Sequence, residues 1–133
     1  MATLVPDATK NAATDAVRAL ITHLSLHETT PGTTGAAEAA GGSPAYARKP
    51  VTTTPSGAVG PLGAAAQPAT PGVAYTSEVT FDVDPATYAY WGAWNAVSAG
   101  TYILGNVLSP GSITASAQGQ VKLWVAIGPL AGA

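Results

Sequence analysis

His23 and His27 are the side chains with the widest chemical repertoire in this sequence, and they stand four residues apart. On a helix that spacing places both imidazoles on one face, where they can share a metal ion. On a strand it separates their Cα atoms by ~13 Å, too far for one ion. Leu24, Ser25, Leu26 and His27 alternate apolar and polar, the pattern of a strand with one buried face. The histidines are therefore expected as polar surface or loop hydrogen-bonding groups. Asp82 and Asp84, about 7 Å apart on one strand face, have the spacing to share a calcium ion. No third and fourth oxygen ligand accompanies them, and Asp84 before Pro85 reads as a turn cap. Nucleophilic catalysis needs a Ser, His and acid set, and no G-x-S-x-G elbow is present. The glycines from Thr33 to Gly42 lack the Gly-Lys-Ser/Thr of a phosphate loop. Glu28 and Glu38 flank the same loop, but paired glycosidase carboxylates have no characteristic sequence spacing. With no cysteine there is no thiolate site and no disulfide. The sequence assigns no catalytic residue, no metal ligand and no cofactor.

The large aromatics are the other group with binding chemistry: Tyr88, Tyr90, Trp91, Trp94 and Trp124. Aromatics alternating along a strand pack a core, line a subunit interface or stack on sugar rings. Tyr88 and Tyr90 share a side and Trp91 points opposite, so another chain is expected to cover one side. Arg48 and Lys49 form the only adjacent basic pair, suited to a surface salt bridge or to an acidic neighbour. Together with Val59 and Leu62, these residues are the interface candidates.

The elements that position these residues follow from periodicity and breakers. Ala12, Ala13, Ala16, Val17, Leu20 and Ile21 recur at three- and four-residue spacing after Pro6-Asp7, predicting a helix over 7–22 with Lys10, Asn11, Asp15 and Arg18 on its other side. Its apolar face is expected to dock on a sheet or a neighbouring subunit. Residues 23–52 read as two strands, Leu24–His27 and a weaker Ala45–Thr52, joined by a long exposed loop punctuated by Pro31-Gly32, Gly35 and Gly41-Gly42. Residues 53–72 hold so many prolines and glycines that they form an arm, with Val59 and Leu62 suggesting that it lies against something. From 73 to 133 strands alternate with turns: Val79–Val83, Thr87–Trp94, Thr101–Leu108, Ser112–Ala117 and Gln120–Ile127. About seven strands in all predict an antiparallel sandwich or small barrel with one N-terminal helix, built as a single domain over 1–133.

The stretch Ser25, Leu26, His27, Pro31, Gly32, Thr34, Gly35, Glu38, Gly41 to Arg48, Val51 and Thr52 resembles a family of small virion proteins of tailed phages of actinobacteria, usually described as tail-fibre or minor structural proteins. The likeness covers about thirty residues and is looser over the strand-rich second half. It implies a structural role in the virion rather than a catalytic one, with other virion proteins as partners and the virion, assembled in the bacterial cytoplasm, as the location.

Composition fits an assembly component. Charged residues make up 9% of the chain and the net charge is −2, against ~25% charged in ordinary globular chains. Such a surface is poorly protected against association, so a homo-oligomer or a shared lattice is expected. Five Lys and Arg against seven Asp and Glu leave no basic patch for nucleic acid. No basic region followed by an apolar run opens the chain and no stretch approaches ~18 apolar residues, so neither a Sec signal nor a membrane span is expected. The expected function is capsid decoration, binding the shell and copies of itself. The absence of a stalk-forming heptad or repeat tilts against the tail-fibre alternative, in which exposed aromatics would stack on host glycans.

Overall fold

The computed structural model describes residues 4–60, 67–109 and 111–129; Leu62 lies outside them. The fold is mainly β with one helix. Among the described residues the elements are α1 (Asp7–Arg18), β1 (His23–His27), β2 (Lys49–Pro50), β3 (Ala74–Tyr75), β4 (Val79–Val83), β5 (Ala86–Tyr88), β6 (Tyr90–Trp94), β7 (Tyr102–Val107), β8 (Ile113–Ala115), β9 (Gly119–Leu123) and β10 (Ala126–Ile127). All strand pairs are antiparallel. They form a four-stranded sheet ordered β2-β1-β6-β7 and the two-stranded ribbons β10-β3, β4-β9 and β5-β8. No closed barrel is present among the described residues.

The chain divides into two compact units. The first comprises Met1–Leu20, Val51–Glu78 and Trp124–Ala133, and holds α1, the arm and the β3-β10 ribbon. Asp7 in the first turn and Arg18 in the last complement the dipole of α1. The helix stops four residues short of the expected end, in a tight turn closed by the Leu20 N–H to the Val17 carbonyl at 3.0 Å. Its docked face is also rotated from the expected one: Ala13 and Val17 are half-buried and Ile21 is buried, as expected, but the centre of the face is polar. Ala12, Ala16 and Leu20 are exposed, whereas Thr14 is fully buried and Asn11, Asp15 and Arg18 are half-buried. The cause is the arm. Its prolines and glycines leave backbone groups without a full ladder, and such groups need side-chain partners. Asn11 Oδ1 accepts from the Gly72 N–H at 2.8 Å, Thr14 Oγ1 donates to the Gly72 carbonyl at 2.6 Å, and Asp15 Oδ1 accepts from the Ser56 N–H at 2.9 Å. Arg18 Nε donates to Asp15 Oδ1 at 2.6 Å and its Nη1 to Thr53 Oγ1 at 3.3 Å. Arg18 and the Ser56 N–H hold the Asp15 carboxyl below its usual range. The described parts of the arm thus lie against the chain's own helix and against β3, where the Thr54 N–H meets the Tyr75 carbonyl at 2.8 Å and the Gly57 N–H the Val73 carbonyl at 2.9 Å.

The second unit comprises Ile21–Pro50 and Val79–Leu123. Two of the long strands expected from sequence are each split. Thr87–Trp94 breaks at Ala89, whose N–H bonds the His27 carbonyl while its carbonyl accepts from the Leu108 N–H. Gln120–Ile127 breaks after Leu123, because the Val125 N–H and carbonyl both pair with Thr76, at 3.0 Å each, and the chain exchanges β4 for β3 as its partner. The weaker Ala45–Thr52 strand shrinks to Lys49–Pro50. Strand β1 is buried on both faces rather than one. Leu24 and Leu26 fill one side; the polar side is buried because its groups bond one another, as follows.

Candidate functional site

Ser25, His27, Gly35, Glu38, Tyr46 and Arg48, all within the second unit, gather around Trp94. From β1, Ser25 and His27 project to the same side, and register pairs Ser25 with Gly92 and Leu26 with Trp91 of β6. His27 Nδ1 lies 2.6 Å from the Ala36 carbonyl, which only accepts, so Nδ1 carries the proton. In the neutral ring Nε2 is then the acceptor, and Ser25 Oγ donates to it at 2.7 Å. Ser25 Oγ in turn accepts from Trp94 Nε1 at 2.8 Å. Each donor in this chain meets an acceptor, which is the condition for burying polar groups at low cost. Burial, the largest influence, holds the His27 pKa below its usual value and keeps the ring neutral. Gly92 makes the geometry available: a Cβ there would stand 2.7 Å from both His27 Nε2 and Ser25 Oγ.

A second layer covers the indole. The loop after β1 turns over Pro31–Gly35 and returns beside β1, with the Glu28 N–H on the Ala37 carbonyl at 3.2 Å and the Ala39 N–H on the Leu26 carbonyl at 2.9 Å. That return places Glu38 opposite His27. Arg48 grips Glu38 with two parallel bonds, Nε to Oε2 and Nη2 to Oε1, each 2.9 Å. Its Nη1 donates to the carbonyls of Ala96 at 3.2 Å and Ala99 at 2.8 Å, and the guanidinium carbon sits 3.5 Å from the centroid of the Trp94 ring. A planar cation over an indole face is attracted by the ring quadrupole. Tyr46 donates to Glu38 Oε2 at 3.0 Å, accepts from the Leu26 N–H at 3.1 Å, and stacks on Phe81; burial raises its pKa well above the usual phenol value. Tyr102 meets the indole edge-on at 5.3 Å between centroids. Gly35, at φ +76°, lies where a Cβ would overlap the benzo edge of Trp94. An open concavity of about 500 Å³ borders this layer, lined by Glu38, Tyr46, Arg48, Val97 and Ser98.

The Ser25–His27 contact has the atoms of an acyl-transfer pair but not its surroundings. Both residues are fully buried. A backbone carbonyl occupies the position of the orienting carboxylate, and the nearby Glu38 is committed to Arg48, so burial outweighs what would favour an imidazolium. What the arrangement does chemically is lock a loop onto a tryptophan.

The sequence candidates are distributed unevenly. His23 and His27 occupy opposite ends of β1, and both ring nitrogens of His27 are committed. Among the described residues no three or more His, Asp or Glu side chains gather as a metal site. Asp82 accepts from Gln120 Nε2 at 3.3 Å and faces Lys49 Nζ at 4.0 Å; the Asp84 backbone carbonyl accepts from the Tyr88 hydroxyl at 2.6 Å. Of the interface candidates, Tyr88, Trp91, Trp94 and Arg48 are corrected to interior residues: each is under 9% exposed within the chain itself. They offer no free surface to a neighbour or a sugar. Tyr90, Trp124 and Lys49 are half-buried, Trp124 edge-on against Tyr75, and Val59 is exposed. Ser25 and Tyr46 were not site candidates and Glu38 was weighed only as a glycosidase carboxylate, although Glu38 and Tyr46 share with Arg48 the pattern Glu-x7-Tyr-x-Arg, a carboxylate followed by two groups that can donate to it. Compared with protein-family models, curated proteins and solved structures, the chain matches none.

Proposed function

We propose that this chain is a non-enzymatic structural protein of a tailed-phage virion, an accessory subunit that decorates the capsid and binds the shell and copies of itself. The observation that carries this reading is the closure of the phage-like stretch upon itself. Ser25, His27, Gly35, Glu38, Tyr46 and Arg48 spend their polar atoms and their shapes on one another and on Trp94, leaving a rigid framework rather than a reactive group. The low charge of the chain supports the same reading, since surface destined to be covered need not carry charge. The burial of Trp91 and Trp94 leaves the tail-fibre alternative with the half-buried Trp124 as its one tryptophan stacking platform. Immunogold electron microscopy of intact virions with an antibody to the folded chain tests the proposal. Dense label over the head is expected. Label confined to the tail would replace decoration with a tail role, and virions without label would overturn the virion reading.

A further inference from the structure

We infer that His27 is an acid-released latch: its neutral ring fastens residues 29–37 over Trp94, and uptake of a proton frees that loop while the strands behind it stay paired. The direction of the hydrogen bonds assigns the role. His27 Nδ1 donates to the Ala36 carbonyl at 2.6 Å, and Ser25 Oγ donates to Nε2 at 2.7 Å. Ser25 Oγ is fixed in turn as the acceptor of Trp94 Nε1 at 2.8 Å, and among the described residues it bonds nothing else. Both ring nitrogens are thus satisfied in one neutral tautomer alone. An imidazolium donates from both nitrogens, so its added proton meets the hydroxyl proton of Ser25. Ser25 and His27 are fully buried, which closes off solvent from either proton, and an unpaired buried donor beside a buried charge is costly.

The charged groups around the ring do not reverse this balance. Glu38, opposite His27 on the returning loop, favours the charged ring, but both its oxygens are held by Arg48 at 2.9 Å, and Arg48 disfavours it. Strand β6 brings only Tyr90, Gly92 and Trp94 to this face. Strand β7 brings Tyr102, edge-on at 6.5 Å, a phenol that burial keeps neutral. On its own strand His23 stands at the far end, and Glu28, next along the chain, is exposed. What gives way on protonation is the side of the ring with the fewest holds. Strand β1 is bonded along both edges, to β2 and to β6. The loop spends backbone bonds on itself, the Gly35 and Ala36 N–H groups both reaching the Pro31 carbonyl, at 2.9 and 3.1 Å. Of residues 29–37 only Pro31 is buried. Besides His27, the loop is held by Pro31 beside Gly105, Gly35 against the Trp94 ring and the Glu28–Ala37 bond at its root. Segments with so few buried contacts open locally, well before the ladders behind them.

The test is amide hydrogen exchange of the full chain followed by NMR, expressed as protection factors at about pH 7.5 and about pH 5.5, with the His27 ring titrated in the same samples. The Glu28 amide, which bridges the loop root to Ala37, is expected to lose protection about three- to tenfold on acidification, the range set by an open-loop ring with the ordinary pKa near 6.5. Amides of the β4-β9 ladder are expected to keep theirs. His27→Gln, which does not titrate, is expected to bring the Glu28 difference under about twofold, and His23→Gln to retain it. Unchanged protection of Glu28 in the wild type, equal loss at Glu28 and in β4-β9, or a full step in His27→Gln would each overturn the latch. Should His27→Gln fail to fold, the wild-type ring decides: ring protonation in step with the loss at Glu28 supports the latch, and a ring that protonates near its ordinary pKa with Glu28 still protected overturns it.

Discussion

At the scale of single residues, His27 links protonation to stability. Its folded pKa lies below the ordinary 6.5 because burial disfavours the charged ring. The unfolded chain therefore takes up the proton first as pH falls. The stability contribution is complete above about pH 6.5, declines as pH drops toward the lowered folded value, and is constant below it. His23 is shifted the same way by burial and by Arg48 and adds to the slope. Urea midpoints at about pH 7.5 and about pH 5.5 should differ in the wild type and differ less in His27→Gln, which loses one of the two titrations. Arg48→Lys makes a separate prediction. Lysine cannot form the two-pronged bond to Glu38 while also reaching the Ala96 and Ala99 carbonyls. A loss of about 2 kcal/mol is expected by urea denaturation followed through tryptophan fluorescence. Of this network, β1 itself was legible from its alternation. Its polar face was not, because the group that makes Ser25 and His27 buriable is an indole that arrives from a strand far along the chain.

At the scale of elements, α1 shows why periodicity misled. The alanine spacing was correct for a helix, yet alanine gains little by burial, whereas an arm rich in proline and glycine presents backbone groups that must be bonded. Asn11, Thr14, Asp15 and Arg18 recur at i, i+3, i+4 and i+7, so a polar stripe of helical period was legible as well; its partner was not. Thr14→Val keeps the shape and leaves the Gly72 carbonyl without its donor. A loss of about 1–2 kcal/mol in urea is expected, against less than about 0.5 kcal/mol for Ala12→Lys on the exposed face; the reverse ranking would contradict the docking of the polar side. Split strands were illegible for a related reason. Nothing within Gln120–Ile127 announces that its partner changes at Trp124, since pairing is decided by distant strands.

At the scale of the whole molecule, the scarcity of charge has a direct readout. Contacts made by backbone and apolar groups are not screened by salt, unlike ion pairs. Raising ionic strength tenfold should leave the self-association constant from sedimentation within about twofold; a steep fall would place ion pairs at the interface. The mainly-β class and the N-terminal helix were readable from pattern and punctuation alone. The division into two units was not, because each unit joins segments far apart in sequence, and local pattern does not say which distant segments meet.

Those passages, after Leu20, Pro50, Glu78 and Leu123, make the two units interleaved in sequence. No single cut of the chain releases one of them whole. A protease that nicks the turn at Ser98–Gly100 leaves two pieces, each carrying part of both units, with β6 on one piece and β7 on the other. A nicked molecule is therefore held by its hydrogen-bonded ladders after its covalent continuity is gone. Damage of this kind to a surface loop would open the chain without separating its pieces.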